Sequence, residues 1–333
     1  MKKIKIRLSK TTSGVQGILD FCKAQKVQLF EKSELHQEEQ IGFGSFGKCF
    51  KAHFKANDSV VALKMPKQDV EPALYRKEVK LLNSLSHPNV VRLVGIVHSQ
   101  TDYGIAMEFM EFQIQQAFDL DDVDIGESKC HSVADLLGLC RRLDIQHDIA
   151  NSGLHDAIAL QSAEGLAYLH ENNVTHRDLK TDNILISNCS SKTISCKLCD
   201  FGEARSTMLK TRTMMTTQVQ RRGTLVYNSP EQLRGEIQED INDLKKSDVW
   251  ALGMVFFCLL NPSTIYPWMV DLEGTKDAQA SLSSLMQSGR LPSPNEVDRS
   301  LVTLDVLEVV YKGCVKHNPK ERYASSDIVS HLG

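Results

Sequence analysis

The chain has 333 residues, 41% of them hydrophobic and 24% charged, with a formal net charge of -3. That is the profile of a soluble globular protein, long enough for one large two-lobed unit or two domains. It excludes a strongly basic nucleic-acid-binding surface as the main business, and no run of about twenty apolar residues is present to cross a bilayer. Nine cysteines, an odd number, are scattered along the chain. The opening MKKIKIRLSK is lysine-rich and lacks the apolar core of a secretory signal. Reduced thiols in a cytoplasmic protein, with a nuclear location also open, are therefore expected.

Residues 1–34 read as a pre-domain segment, in which Ile4, Ile6 and Leu8 alternate with polar residues as in a short strand. From about Glu38 the pattern becomes strand-rich. EEQIGFG runs into a glycine turn, GKCFKAHF follows, NDS signals a hairpin, and VVALKM forms its return. ALYRKEVKLLNSL predicts a helix with Leu74, Val79, Leu82 and Leu85 near one face, ended by HPN. VVRLVGIVH and GIAMEFM predict two more strands. Residues 113–132 form an acidic, loop-like insertion, with Asp119, Asp121, Asp122, Asp124 and Glu127 inside it. SVADLLGLCRRL and AIALQSAEGLAYLHENN then read as helices. Cys196 and Cys199, in ISCKLCDF, make a lone C-x-x-C without the second pair a zinc site needs, so buried strand thiols are expected. VWALGMVFFCLL, at 249–260, is too short to span a membrane and reads as a core helix. The first third is thus β-rich with one helix and the remainder mostly helical, with the boundary near Phe112.

Gly42, Gly44 and Gly47 satisfy G-x-G-x-x-G, and Gly42, Gly47 and Lys48 fall one residue short of a P-loop. Both a dinucleotide fingerprint and a P-loop need a helix opening at the glycines, so that its N-terminus meets the phosphates. Here the residues after Gly47 read as a strand, and Cys49 stands where a P-loop carries Ser or Thr. A glycine turn between two strands can instead fold over a nucleotide as a lid, its backbone close to the phosphates because no Cβ intervenes. Downstream, Asp178, Lys180, Asn183 and Asp200 sit beside the short apolar runs ILI and IS-C-KL. Buried-strand mouths carry polar groups only when these are satisfied or working. Phosphoryl transfer from ATP needs hard oxygen ligands for Mg²⁺, which Asn183 and Asp200 supply. It also needs a proton acceptor beside the nucleophilic hydroxyl, Asp178, and a cation at the transferring group, Lys180. Lys64 on the VALK strand is placed to grip the α- and β-phosphates, with Glu78 as the acidic partner that fixes it.

On these residues the chain resembles a eukaryotic protein kinase over about 38–333. The matching motifs are Gly42-Phe43-Gly44-Ser45-Phe46-Gly47, Val61-Ala62-Leu63-Lys64, Glu78, His176-Arg177-Asp178-Leu179-Lys180-Thr181-Asp182-Asn183 and Asp200-Phe201-Gly202. Gly223-Thr224, Ser229-Pro230-Glu231, Asp248 and Arg322 extend the match. The resemblance implies an α+β, bilobal protein kinase fold. Its small N-lobe of antiparallel sheet plus one helix would span 35–112, and its larger, mainly helical C-lobe 113–333. It implies ATP and Mg²⁺ as cofactors, a protein substrate, and nucleotide contacts from Gly42 to Gly47, Cys49, Ala62, Lys64, Met107, Glu108, Met110 and Leu185. Asp178, Lys180, Lys64 and Glu78 would be the catalytic set, with Asn183 and Asp200 on the metal.

The family also pairs Arg322 with Glu231 and gives His176 and Phe201, with Leu82 and Leu93, a place in an internal apolar stack. Cys49 departs from the usual valine above the adenine, and Ser229 from the usual alanine. Neither change removes a catalytic group, so activity is expected rather than a kinase-like scaffold. Lys180 and Thr224 resemble the serine/threonine type, tyrosine or dual specificity being the alternative, and RLVGI and SDVWALG resemble the tyrosine-kinase-like group. An unpaired Arg177 guanidinium is expected beside Asp178, which invites a phosphate on the segment that holds Thr207, Thr211, Thr213, Thr216 and Thr217. An upstream kinase or autophosphorylation would supply it. Cys199 would face the nucleotide site.

Overall fold

The structure is a computed structural model that describes residues 14–43, 47–67, 71–114, 129–145, 152–190, 193–207, 225–236, 240–294 and 305–333. The chain divides into two compact units, Met1–Met110 and Glu111–Gly333.

The first unit opens with helix α1 over 14–24. It continues with strands β1 (Leu29–Glu31), β2 (Leu35–Phe43), β3 (Gly47–Phe54) and β4 (Val60–Pro66), then helix α2 (Pro72–Ser84), then β5 (Leu93–His98) and β6 (Tyr103–Glu108). The strands form one six-stranded sheet in the order β1-β5-β6-β4-β3-β2. Hairpins set the antiparallel pairs β2–β3, β3–β4 and β5–β6, a longer connection through α2 and β5 sets β4–β6, and one parallel pair, β1 on β5, adds an edge. The NDS turn closes as expected: Asp58 adopts φ 55°, and Asn57 Oδ1 accepts from the Ser59 N–H at 3.1 Å. Leu35, Ala52, Val61, Leu63, Val97 and Ala106 make a buried cluster, with Phe30, Phe54, Met65 and Val94 packed against it. On α2, Pro72 sits in the first turn, where its missing N–H costs nothing. Tyr75, Glu78, Val79 and Leu82 lie on its buried side, while Leu74 is only half-buried.

The second unit contains strands β7 (Phe112–Gln113) and β8 (Lys129–Cys130), helices α3 (Val133–Leu143) and α4 (Leu154–Glu171), and strand β9 (Val174–Thr175). Strands β10 (Ile184–Ser190), β11 (Thr193–Leu198) and β12 (Arg205–Ser206) follow. Helices α5 (Pro230–Leu233), α6 (Ile241–Leu260), α7 (Ala278–Gln287), α8 (Asp305–Cys314) and α9 (Ser325–Leu332) complete it. Ser132 N-caps α3 and forms a capping box with Asp135. Asp240 caps α6, its side chain accepting from the Asn242 N–H. Helix α6 is buried all round from Ser247 to Leu259, as the apolar run at 249–260 predicts for a core helix. Gly253 makes this packing possible, because a Cβ there would stand 2.7 Å from the Cys314 Cβ on α8. Among the described residues no helix is long and apolar enough to cross a membrane. The eight described cysteines are free thiols; Cys196 is fully buried on β11, whereas Cys199, also expected as a buried strand thiol, lies just past the strand end and is only half-buried.

Candidate active site

In the first unit, β2 and β3 pair on either side of residues 44–46, Gly42 opposite Cys49 and Phe43 opposite Lys48. The chain leaves Gly47 as strand β3, not as a helix. Among the described residues no helix opens at the glycines, and such a helix is the feature shared by dinucleotide and P-loop sites. Gly44, Ser45 and Phe46 lie outside the described residues. Gly47 has a local reason to be glycine, since a Cβ would fall 2.1 Å from the Met65 carbonyl oxygen of β4. Strand register sets Cys49 opposite Lys64 and Ala62 opposite Met107. Lys64 Nζ donates to Glu78 Oε1 at 2.6 Å, and Glu78 is only 5% exposed. A charge-assisted bond this short, with the carboxylate out of water, fixes the ammonium in one place. Glu108, at the end of β6, is tied to Arg92 twice. Its N–H donates to the Arg92 carbonyl at 3.1 Å, and its Oε1 accepts from the Arg92 N–H at 2.7 Å. Met107 and Met110 are buried.

In the second unit, the β10–β11 hairpin brings together two residues far apart in sequence. Ile184 pairs with Leu198, and the Cys199 N–H donates to the Asn183 carbonyl at 3.0 Å. Asn183 and Asp200 therefore stand at the same end of the hairpin. Ile184, Ile186, Ile194, Cys196 and Leu198 bury its inner face, and half-buried Leu185 points to the other side by strand alternation. Gln161 of α4 secures β11, with Oε1 accepting from the Cys196 N–H at 2.8 Å and Nε2 donating to the Ile194 carbonyl at 2.9 Å.

Asp178 is held from two sides. Lys180 Nζ donates to its Oδ2 at 2.9 Å, and Asn183 Nδ2 donates to the same oxygen at 3.1 Å and to the Asp178 carbonyl at 2.6 Å. These bonds use the carboxamide nitrogen of Asn183, so its oxygen is the atom left for a hard cation. Burial raises the Asp178 carboxyl above the usual aspartate range and the Asp200 charge adds to this, while Lys180 pulls the other way. Burial alone would lower the Lys180 ammonium, but the charges of Asp178, Asp182 and Asp200 outweigh it and raise it. Arg177 and Asp200 both sit in the left-handed region, at φ 67° and 62°. For non-glycine residues this stores about 1–2 kcal/mol each and is held only by surrounding bonds.

Asp248 supplies that restraint at Arg177. It is 2% exposed, and its carboxylate accepts from the His176 N–H at 2.7 Å and the Arg177 N–H at 2.8 Å. His170 Nε2 lies 3.2 Å from the same carboxylate, and His170 Nδ1 lies 3.0 Å from Ser325 Oγ of α9. The His170 and Ser325 contribution has no marker in the sequence, because a helical histidine and a serine at a helix start are ordinary. The same holds for Thr181 Oγ1 and Tyr227 OH, 2.8 Å apart. His176 Nε2 lies 2.9 Å from the Cys199 carbonyl oxygen, and its ring packs on Phe201 at 5.2 Å, a structural role as expected.

Arg322 reaches Glu231 with both terminal nitrogens, at 2.6 and 2.7 Å, as the resemblance implies. Ser247 Oγ donates to Glu231 Oε1 at 3.1 Å, and the Arg322 guanidinium lies over the Trp250 ring at 5.0 Å. One detail corrects the sequence expectation: the Arg177 guanidinium is not unpaired, since Nη1 donates to the Glu203 carbonyl at 3.3 Å. Thr207 follows β12, its N–H donating to the Asn173 carbonyl at 3.4 Å. Thr211, Thr213, Thr216, Thr217, Gly223 and Thr224 lie outside the described residues, as does the acidic stretch from Asp119 to Glu127.

A sheet with a glycine hairpin and a Lys–Glu pair in one unit, and an Asp–Lys–Asn constellation in a helical second unit, define a phosphotransferase of the kinase class. The family model described as "Protein kinase domain" matches residues 35–332. The chain belongs to the protein kinase family.

Proposed function

We propose that this protein kinase uses ATP and Mg²⁺ to phosphorylate serine and threonine hydroxyls of protein substrates. The observation that carries the proposal is the Asp178 carboxylate held by Lys180 at 2.9 Å and Asn183 at 3.1 Å, beside the strand end that presents Asp200. Lys64, fixed by Glu78, grips the α- and β-phosphates. The glycine turn from Gly42 to Gly47, with Cys49, covers the nucleotide, while Ala62, Met107, Leu185 and the backbone of Glu108 and Met110 receive the adenine. Asn183 and Asp200 offer a carboxamide oxygen and a carboxylate, a donor set that suits a hard cation otherwise ligated by phosphate and water. Bound there, Mg²⁺ neutralises the charge that develops on the phosphate oxygens.

The substrate hydroxyl oxygen forms the new bond to the γ-phosphorus as the bond to the β-phosphate oxygen breaks and ADP leaves. The hydroxyl proton passes to an Asp178 oxygen, and Lys180 offsets the negative charge on the transferring group. The raised pKa of Asp178 suits this role, because a carboxylate that binds a proton more readily is a better acceptor.

Lys180 supports serine/threonine over tyrosine specificity. Phosphorylation of one or more of Thr207, Thr211, Thr213, Thr216 and Thr217, by the protein itself or an upstream kinase, raises activity by adding a charge for Arg177. Free thiols throughout the described residues suit a reducing compartment, the cytoplasm or nucleus. A peptide array with Mg-ATP, followed by phosphosite mapping of array and enzyme, tests all of these points. Phosphoserine and phosphothreonine on the array support the proposal. Phosphotyrosine would overturn the specificity, and an unchanged rate after replacing all five threonines by alanine would overturn the regulation. No transfer together with no ATP-induced thermal shift would leave a scaffold.

A further inference from the structure

The family match begins at residue 35, yet the fold of the first unit begins earlier. Helix α1 buries Val15, Ile18 and Cys22, a spacing of three and four that lines one face, and Val27 follows. This segment meets α2, the helix that carries Glu78. Asn83 Nδ2 of α2 donates to the Gln25 carbonyl at 3.1 Å. A Cβ on Gly17 would stand 2.9 Å from Arg76 Nη2. Burial pushes the Cys22 thiol up to about 11 while the Arg76 charge pulls it back, which places the two within electrostatic reach. Tyr75, one residue before Arg76, is buried on the same helix.

The far end of the segment is locked into the sheet. Leu29, Phe30 and Glu31 pair in parallel with Ile96, Val97 and His98, and the Ile96 N–H donates to the Gln28 carbonyl at 2.8 Å. Phe30 packs on Phe54 with ring centroids 4.6 Å apart. The approach requires glycine at 95. A Cβ there would stand 2.6 Å from the Gln28 carbonyl oxygen and 2.7 Å from Phe30 Cε2. The three nearest atoms all belong to Gln28 and Phe30, so a side chain at 95 would meet this segment first.

We propose that residues 14–31 are a positioning element for the kinase reaction, a clasp between β5 and α2 that holds Glu78 in register with Lys64. A helix tethered at its C-terminal turn through Asn83, and flanked along Tyr75 and Arg76, has little freedom to swing the Glu78 carboxylate away from the β4 lysine. The proposal rests on the reading of Lys64 and Glu78 as the nucleotide-gripping pair, and its test separates the two.

The full chain is prepared as wild type, Gly95→Ala and Asn83→Ala. Gly95→Ala evicts 28–30 by a backbone clash, whereas Asn83→Ala removes one bond and leaves the fold. Three readings are taken: amide hydrogen exchange over 72–84, acylation of lysines mapped by mass spectrometry, and KM for ATP with kcat. The expected result for Gly95→Ala is faster exchange over 72–84. Lys64 is acylated about threefold faster relative to Lys180, which sits in the other unit with its own carboxylate partner. kcat/KM for ATP falls about tenfold, with KM itself raised. Asn83→Ala shows the same changes at about half the size on a logarithmic scale, and decides the matter should Gly95→Ala fail to fold. Exchange over 72–84 and Lys64 acylation unchanged, or activity lost only in proportion to the unfolded fraction with KM constant, overturns the clasp. Exchange and acylation that respond in a protein without phosphotransfer would uphold the clasp and remove the kinase reading instead.

Discussion

Arg322→Ala removes one half of the most buried ion pair among the described residues of the second unit. The two side chains are 0% and 3% exposed, and the guanidinium also donates to the Lys316 and Lys246 carbonyls. Its loss strands Glu231 without its cation, and breaking such a pair from one side costs about 3–5 kcal/mol. For a unit of this size about 2–4 °C of Tm is lost per kcal/mol, so a fall of about 6–20 °C is expected. Thermal unfolding followed by circular dichroism measures it. The double substitution Arg322→Met with Glu231→Leu recovers most of the loss, because it removes both charges rather than stranding one.

The effect also depends on pH, with a sign fixed by Glu231. Burial by itself would raise its carboxyl, but the Arg322 hydrogen bonds and charge outweigh this and hold it below the usual glutamate range. A carboxyl depressed in the folded state adds stability above its unfolded value and loses it as pH falls through the lower, folded value. The gap between wild type and Arg322→Ala is therefore full at neutral pH and narrows in acid, below the ordinary glutamate range. A fall of less than about 2 °C at neutral pH, or a gap that widens in acid, refutes the reasoning.

Asp178→Asn retains the wild-type Tm within a few degrees but loses phosphotransfer by about 10²-fold or more, measured in a steady-state peptide assay. Lys180→Met lowers kcat and moves the acidic limb of the pH–rate profile to higher pH. Lys180 is the charge that opposes the burial-driven rise of Asp178, and a limb that stays in place contradicts that assignment. Asp248→Ala orphans the buried N–H groups of His176 and Arg177, at about 1–3 kcal/mol each. It lowers both Tm and kcat, since the left-handed backbone at Arg177 loses its restraint.

The sequence showed most of the scaffold because local patterns and tertiary packing agree there. Alternating runs became β2 to β6, and an apolar run too short for a membrane became the buried stretch of α6. The convergence of Asn183 and Asp200 was legible through the apolar runs beside them and through the resemblance, which implies that both serve one metal. What brings the two together is the β10–β11 register, a long-range fact no local window contains. Helix α1 and strand β1 escaped notice for a physical reason. Three-residue β1 is too short for a periodic signal, and its partner β5 lies more than sixty positions away. His170 and Ser325 escaped because their role is visible only from Asp248, the carboxylate they surround.

In the proposed function Asn183 and Asp200 serve one magnesium-dependent transfer of phosphate from ATP. Transfer of labelled γ-phosphate to a serine/threonine peptide, titrated with Mg²⁺ for wild type, Asn183→Ala and Asp200→Ala, tests it most directly. The account predicts saturable, magnesium-dependent transfer by the wild type. For Asn183→Ala it predicts a raised magnesium requirement, and for Asp200→Ala a folded protein without transfer at any magnesium concentration. Wild-type rates from Asp200→Ala, or wild-type transfer indifferent to magnesium, would contradict it.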